Sequence, residues 1–171
     1  MTTKSPVRLR VSRIFQLNPD SILGLIMFGV VLGMQEPSDS PMAKAIISFV
    51  GVFALWMGHV FAHTMAGNNV TSDHRVSLRT SLRQSLRTSW PMFAWTAPSL
   101  AVLLIVPIFG ATDEQSTDAG LITMMCSLFV IGGLIFAARR RSIPWRIAAG
   151  LATSLVGVVI VVVEILVRGL H

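Results

Sequence analysis

Apolar positions in this chain come in long unbroken runs, without the alternation of a half-buried strand or the one-sided stripe of a water-facing helix. Four runs, at 42–67, 91–110, 120–138 and 146–167, hold 19 to 26 residues each. At about 1.5 Å per residue, such a run crosses a hydrocarbon layer about 30 Å thick as a helix. A fifth segment, 17–34, is weaker. Asn18-Pro19-Asp20-Ser21 interrupts it and leaves only about fourteen strongly apolar residues. The stretch from Glu36 to Pro41 nevertheless reads as a tight connection to the next run, so 17–34 is taken as a span too. The pattern predicts an all-α polytopic transmembrane helix bundle of five spans, with 1–16 as a basic tail and 72–90 as an amphipathic connector. Pro98 and Pro107 are expected to bend or end the third span, because proline lacks a backbone donor and crowds the preceding turn.

Composition narrows the solvent. The 171 residues are 53% hydrophobic and 13% charged, against about 25% charged in an ordinary soluble domain. The net charge is +6, and its distribution carries more information than its size. The tail holds Lys4, Arg8, Arg10 and Arg13; the second connection holds Arg75, Arg79, Arg83 and Arg87; the last turn holds Arg139, Arg140, Arg141 and Arg146. Five spans put all twelve on one side and leave only Lys44 and Arg168, of fourteen Lys/Arg, with Glu36, Asp39, Asp113, Glu114 and Asp118 on the other. That asymmetry is expected where Lys/Arg in short loops govern insertion. It implies a bacterial cytoplasmic membrane protein with its N-terminus inside and its C-terminus outside. Ala111 to Ala119 reads as an acidic outer loop.

The basic connector is regular. Ser77-Leu78-Arg79, Ser81-Leu82-Arg83 and Ser85-Leu86-Arg87 repeat every four residues, so on a helix the leucines form one narrow stripe and the arginines a neighbouring one. A helix of this kind suits the inner leaflet, with leucines toward acyl chains and arginines reaching anionic headgroups. Membrane lipids are therefore the expected partners, with a membrane protein or a second copy of the chain as further ones. Nucleic acid is not expected, since no aromatic stacking platform accompanies the arginines. Asn69-Val70-Thr71 matches a glycosylation sequon, but on the inner side it would not be modified.

Polar groups inside the runs are few. His59 and His63 stand four apart on one helix face, a spacing that suits an interhelical hydrogen bond, a proton or ion path, or a shared ligand. No glutamate lies between them and no acid lies near them in sequence, so a hydrolytic zinc site is not expected and no metal or cofactor is assigned. Glu164, near the outer end of the last span, has Arg168 one turn later as its simplest partner. Gly29, Gly33, Gly51, Gly58, Gly150 and Gly157 supply close-approach positions for helix packing, and the pair Gly132-Gly133 is expected to do likewise in the fourth span. Cys126, the single cysteine, reads as a small buried hydrophobe. Ser48 and Thr64 are isolated hydroxyls with no acid beside them to orient a histidine, so the chain is not read as an enzyme.

Trp56-x-x-His59-Val60-Phe61-Ala62-His63, the arginine repeat leading into Trp90-Pro91, the Thr112-Asp113-Glu114 loop and a final span ending before His171 together resemble small multi-pass integral membrane proteins of actinobacteria with no assigned activity. The resemblance covers residues 54–171 and implies a membrane class without a catalytic assignment. Those proteins tend to carry an acid just before the Trp-Pro pair, where this chain has Ser89. The expected role is that of a non-enzymatic accessory, assembly or scaffold protein; the alternative is an oligomeric proton or cation channel, or small transporter, using the intramembrane histidines.

Overall fold

The computed structural model describes residues 19–36, 38–68, 78–138 and 142–168. The tail basic residues, the sequon, His74, Arg75 and Arg139 to Arg141 lie outside the described residues, as do the side chains of Glu164 and Arg168. The helices are α1 (Pro19–Gly33), α2 (Pro41–Asn68), α3 (Leu78–Ser89), α4 (Pro91–Ile105), α5 (Asp113–Ala138) and α6 (Ile143–Arg168), with a 3-10 turn at Val106–Phe109. The chain is an all-α bundle, with no strand among the described residues.

Local chemistry sets the helix ends. Ser40 accepts from the Ala43 N–H through its hydroxyl, and Pro41 occupies the first helical position, where a missing donor costs nothing. Thr112 and Gln115 form a reciprocal capping box: the Gln115 N–H donates to Thr112 Oγ1, and the Thr112 N–H to Gln115 Oε1. That cap starts α5 at Asp113, so the acidic loop expected over 111–119 is mostly helix. Asp113 and Glu114 then sit in its first turn, where the helix dipole favours negative charge. Pro98 is accommodated within α4, whereas the segment around Pro107 tightens into the 3-10 turn. Gly110 ends that turn at φ 85°, a conformation that β-carbon-bearing residues avoid.

Among the described residues, four stretches are long and apolar enough to cross a membrane: 41–66, 78–109, 113–137 and 143–163. The chain is thus a multi-pass membrane protein. The described α1 is shorter, 15 residues or about 22 Å, which modifies the expectation of five full spans. Its position explains how so short a helix is accommodated. α1 lies at the centre and touches α2, α4, α5 and α6. Leu25, Phe28 and Leu32 on α1 are almost fully buried with Val52, Met92, Leu103, Met124 and Leu128. A helix enclosed by protein need not match the lipid thickness.

Neighbouring helices make close contacts through small residues. Gly29 faces Met124, Gly51 faces Val31, Gly150 faces Phe129, and Gly157 faces Met125 and Leu128. Gly33 is buried. Gly58 does not belong with them: it is exposed, and a β-carbon built there meets no described residue within 4 Å. Gly24, absent from the expected set, abuts Met92. Cys126 is exposed, contrary to the expected burial; an outward apolar residue faces lipid without the penalty it would meet in water. The outer surface elsewhere is of the same character, with Phe49, Phe61, Ile122, Leu151, Leu155 and Val159 exposed. Trp90 is exposed, whereas Trp95 turns into the core.

Candidate functional site

Antiparallel pairing of α1 with α2 brings distant polar residues together. Val31 lies against Gly51. Eleven residues before Val31 is Asp20, and eleven after Gly51 is Ala62, so Asp20 stands at the level of the two histidines. His59 Nε2 lies 3.0 Å from Asp20 Oδ1, and His63 Nε2 lies 3.0 Å from His59 Nε2. The imidazoles meet edge to face, with centroids 4.6 Å apart.

Asp20 is the functional residue missed by sequence reasoning. In sequence it belongs to a turn signal 39 residues from His59; in the structure it is in the first turn of α1, where the dipole supports a carboxylate. An acid at the start of an apolar helix that folds back on a histidine-bearing helix was the available signal. The Ser89 hydroxyl, at the junction of α3 and α4, donates to Asp20 Oδ2 at 3.4 Å. The side chains of Asp20 and His59 are 10% and 24% exposed, and His63 is exposed, so the cluster is buried on its carboxylate side and open on the other.

The basic connector contributes to the same end of the bundle. Its four-residue period generates three stripes. Ser81, Ser85 and Ser89 are buried, while Leu78, Leu82, Leu86, Arg79, Arg83 and Arg87 are exposed. The small serines let α3 pack against α2, where Thr64 Oγ1 lies 3.4 Å from Ser85 Oγ. Trp90 keeps right-handed helical dihedrals (φ −55°, ψ −35°), so α3 passes into α4 without a sharp turn. The leucine and arginine stripes face outward as expected; the inward serine stripe is an additional feature.

The two bundle ends differ in charge. Arg79, Arg83, Arg87 and Arg146 share one end with Asp20, His59 and His63, as follows from the antiparallel pairings of α1 with α2 and α5 with α6. The other end holds Glu36, Asp39, Asp113, Glu114 and Asp118. Lys44 is at this acidic end but fully buried, and its Nζ donates to Thr117 Oγ1 at 3.0 Å. Nearby, the Gln35 amide donates to Ser48 Oγ at 3.0 Å and ties the α1–α2 turn to α2. Thr117→Val keeps the side-chain shape but removes one acceptor of the ammonium. We expect it to lower stability by about 1–2 kcal/mol, read from unfolding in mixed micelles; an unchanged midpoint would show that this hydrogen bond adds nothing.

Chemically, the Asp20–His59–His63 arrangement offers three Lewis-basic atoms within 4.8 Å of one another. It can share protons or hold a cation. Glu164 does not join it, because its place in the last turns of α6 is at the acidic end of the bundle. Comparisons with protein-family models, curated proteins and solved structures find no match to this chain.

Proposed function

We propose that the protein is a non-enzymatic accessory or scaffold component of the bacterial cytoplasmic membrane, with its basic end inside, and that α3 engages anionic lipid at the inner leaflet. One observation carries this reading: α3 turns its serines inward and leaves three arginines and three leucines exposed along its outer side. Leucines that reach acyl chains beside arginines that reach headgroups fit an anionic membrane surface. The separation of basic and acidic residues between the bundle ends supports the orientation.

The test is lipid retention. Full-length protein is reconstituted into vesicles containing equal phosphatidylcholine and phosphatidylglycerol, released gently, and its bound lipids are measured by native mass spectrometry. At about 1 kcal/mol per arginine near an anionic surface, the R79Q/R83Q/R87Q variant should lose at least about tenfold of the preference for phosphatidylglycerol. Equal retention by variant and wild type would overturn this role for α3. The orientation is checked separately: a cysteine placed at position 83 in a Cys126→Ala background should react with an impermeant reagent only from the inner side.

The convergence of Asp20, His59 and His63 keeps the channel alternative in view. Against it, Leu25, Phe28, Val52, Met92 and Met124 form a buried apolar layer between the two polar ends of the chain. Proton conduction would then need a seam between copies. On our reading, sealed vesicles carrying wild type and H59A/H63A show the same background proton leak; a flux confined to wild type would favour the channel.

A further inference from the structure

We propose that Asp20, His59 and His63 form a binding site for one divalent transition-metal ion of the zinc type. The geometry of His59 is the starting point. Its Nε2 is 3.0 Å from both a carboxylate oxygen and another imidazole nitrogen. A neutral imidazole nitrogen is either a donor or an acceptor, so this atom cannot donate to Asp20 while accepting from His63. The hydrogen-bonded alternative leaves one N–H shared between two acceptors. A cation can satisfy all three atoms at once, since each has a lone pair to donate.

The distances suit such an ion. With two separations of 3.0 Å and the third no greater than 4.8 Å, a single point lies within about 2.5 Å of all three atoms. Zinc–nitrogen and zinc–oxygen bonds are about 2.0–2.2 Å, so small side-chain rotations close the difference. Ligand chemistry narrows the metal: two imidazoles and one carboxylate favour zinc, cobalt, nickel or iron(II) over magnesium or calcium, which prefer oxygen. The Ser89 hydroxyl on Asp20 Oδ2 holds the carboxylate's orientation, as a supporting hydrogen bond does in metal sites.

Position permits access. His59 is about 27 Å along α2 from Pro41, close to the edge of a hydrocarbon layer about 30 Å thick. His63, one turn further, is exposed, leaving the remaining coordination positions to water or a partner's donor atom. The ion thus reaches its ligands without crossing the apolar layer. The proposal is independent of the lipid role of α3, whose arginines lie on the face away from the buried serines.

The experiment uses tag-free full-length protein in detergent, stripped with a chelator and exchanged into metal-free buffer. Zn2+ is titrated in competition with a chromophoric chelator, and Co2+ provides a ligand-field spectrum. Wild type should bind one Zn2+ per chain and develop cobalt d–d bands. Asp20→Asn, His59→Ala and His63→Gln should each weaken Zn2+ binding by at least about 100-fold, and Ser89→Ala by about 10-fold. Circular dichroism and size-exclusion profiles establish that each variant is folded; the exposed position of His63 makes His63→Gln the decisive one should another variant fail. Substoichiometric binding by wild type, or His63→Gln binding Zn2+ as wild type does, would overturn the site. So would a cobalt spectrum unchanged by that substitution.

Discussion

Phe28→Ala is expected to lower stability by about 3 kcal/mol. Phe28 is 1% exposed at the middle of α1, packed in the cluster with Leu25, Leu32, Met92 and Met124. In a membrane the unfolded reference keeps its helices in lipid, so little of the loss comes from transfer to water. What remains is the unfilled volume left by an aromatic ring among four surrounding helices. Phe28→Leu, which refills most of that volume, should cost only about 1 kcal/mol. Phe109, 84% exposed, is the matched control, and its replacement by alanine should stay within about 0.5 kcal/mol of wild type. Unfolding in mixed micelles of increasing denaturing detergent measures all three. Equal midpoints for Phe28→Ala and Phe109→Ala would contradict the central place of α1.

Gly132→Leu should separate α5 from α6 and cost about 2–4 kcal/mol. A β-carbon at position 132 would meet the Thr153 hydroxyl and, on the backbone of α6, the Ala149 carbonyl oxygen at 2.7 Å and carbon at 3.1 Å. Backbone cannot rotate aside, so the helices must move apart. That movement also breaks the hydrogen bond from Thr153 Oγ1 to the Leu128 carbonyl, 2.9 Å in length. Without a large hydrophobic gain between helices in lipid, contact of this kind supplies much of the association energy. Gly58→Leu provides the contrast: the site is open, and relief of glycine's helix penalty should leave stability unchanged or raise it by up to about 1 kcal/mol. The same unfolding assay distinguishes the pair, and similar losses at both positions would refute the packing argument.

The difference between these glycines shows where the pattern of residues stops being informative. Gly58 and Gly132 both occupy long apolar helices, and nothing local marks one as facing lipid and the other as facing α6. In water, hydrophobic and polar faces separate inside from outside; in a membrane both faces are apolar, so the signal disappears. Cys126 illustrates the same limit, being apolar by neighbourhood and exposed by position. The start of α5 was missed for a different reason. Acidic residues suggested a loop, whereas Thr112 and Gln115 cap a helix on which those acids are favoured.

Run length and the four-residue connector repeat determined the all-α membrane class, the approximate helices and the outward leucine and arginine stripes, because each follows from helix geometry and the cost of exposing backbone to lipid. Tertiary structure decided that the short helix α1, from the interrupted segment 17–34, is the centre of the bundle, and that Asp20 joins His59 and His63. Both depend on which helices pair and in what register. That information lies in the fit of side chains across interfaces, where residues 39 apart in the chain come within hydrogen-bonding distance.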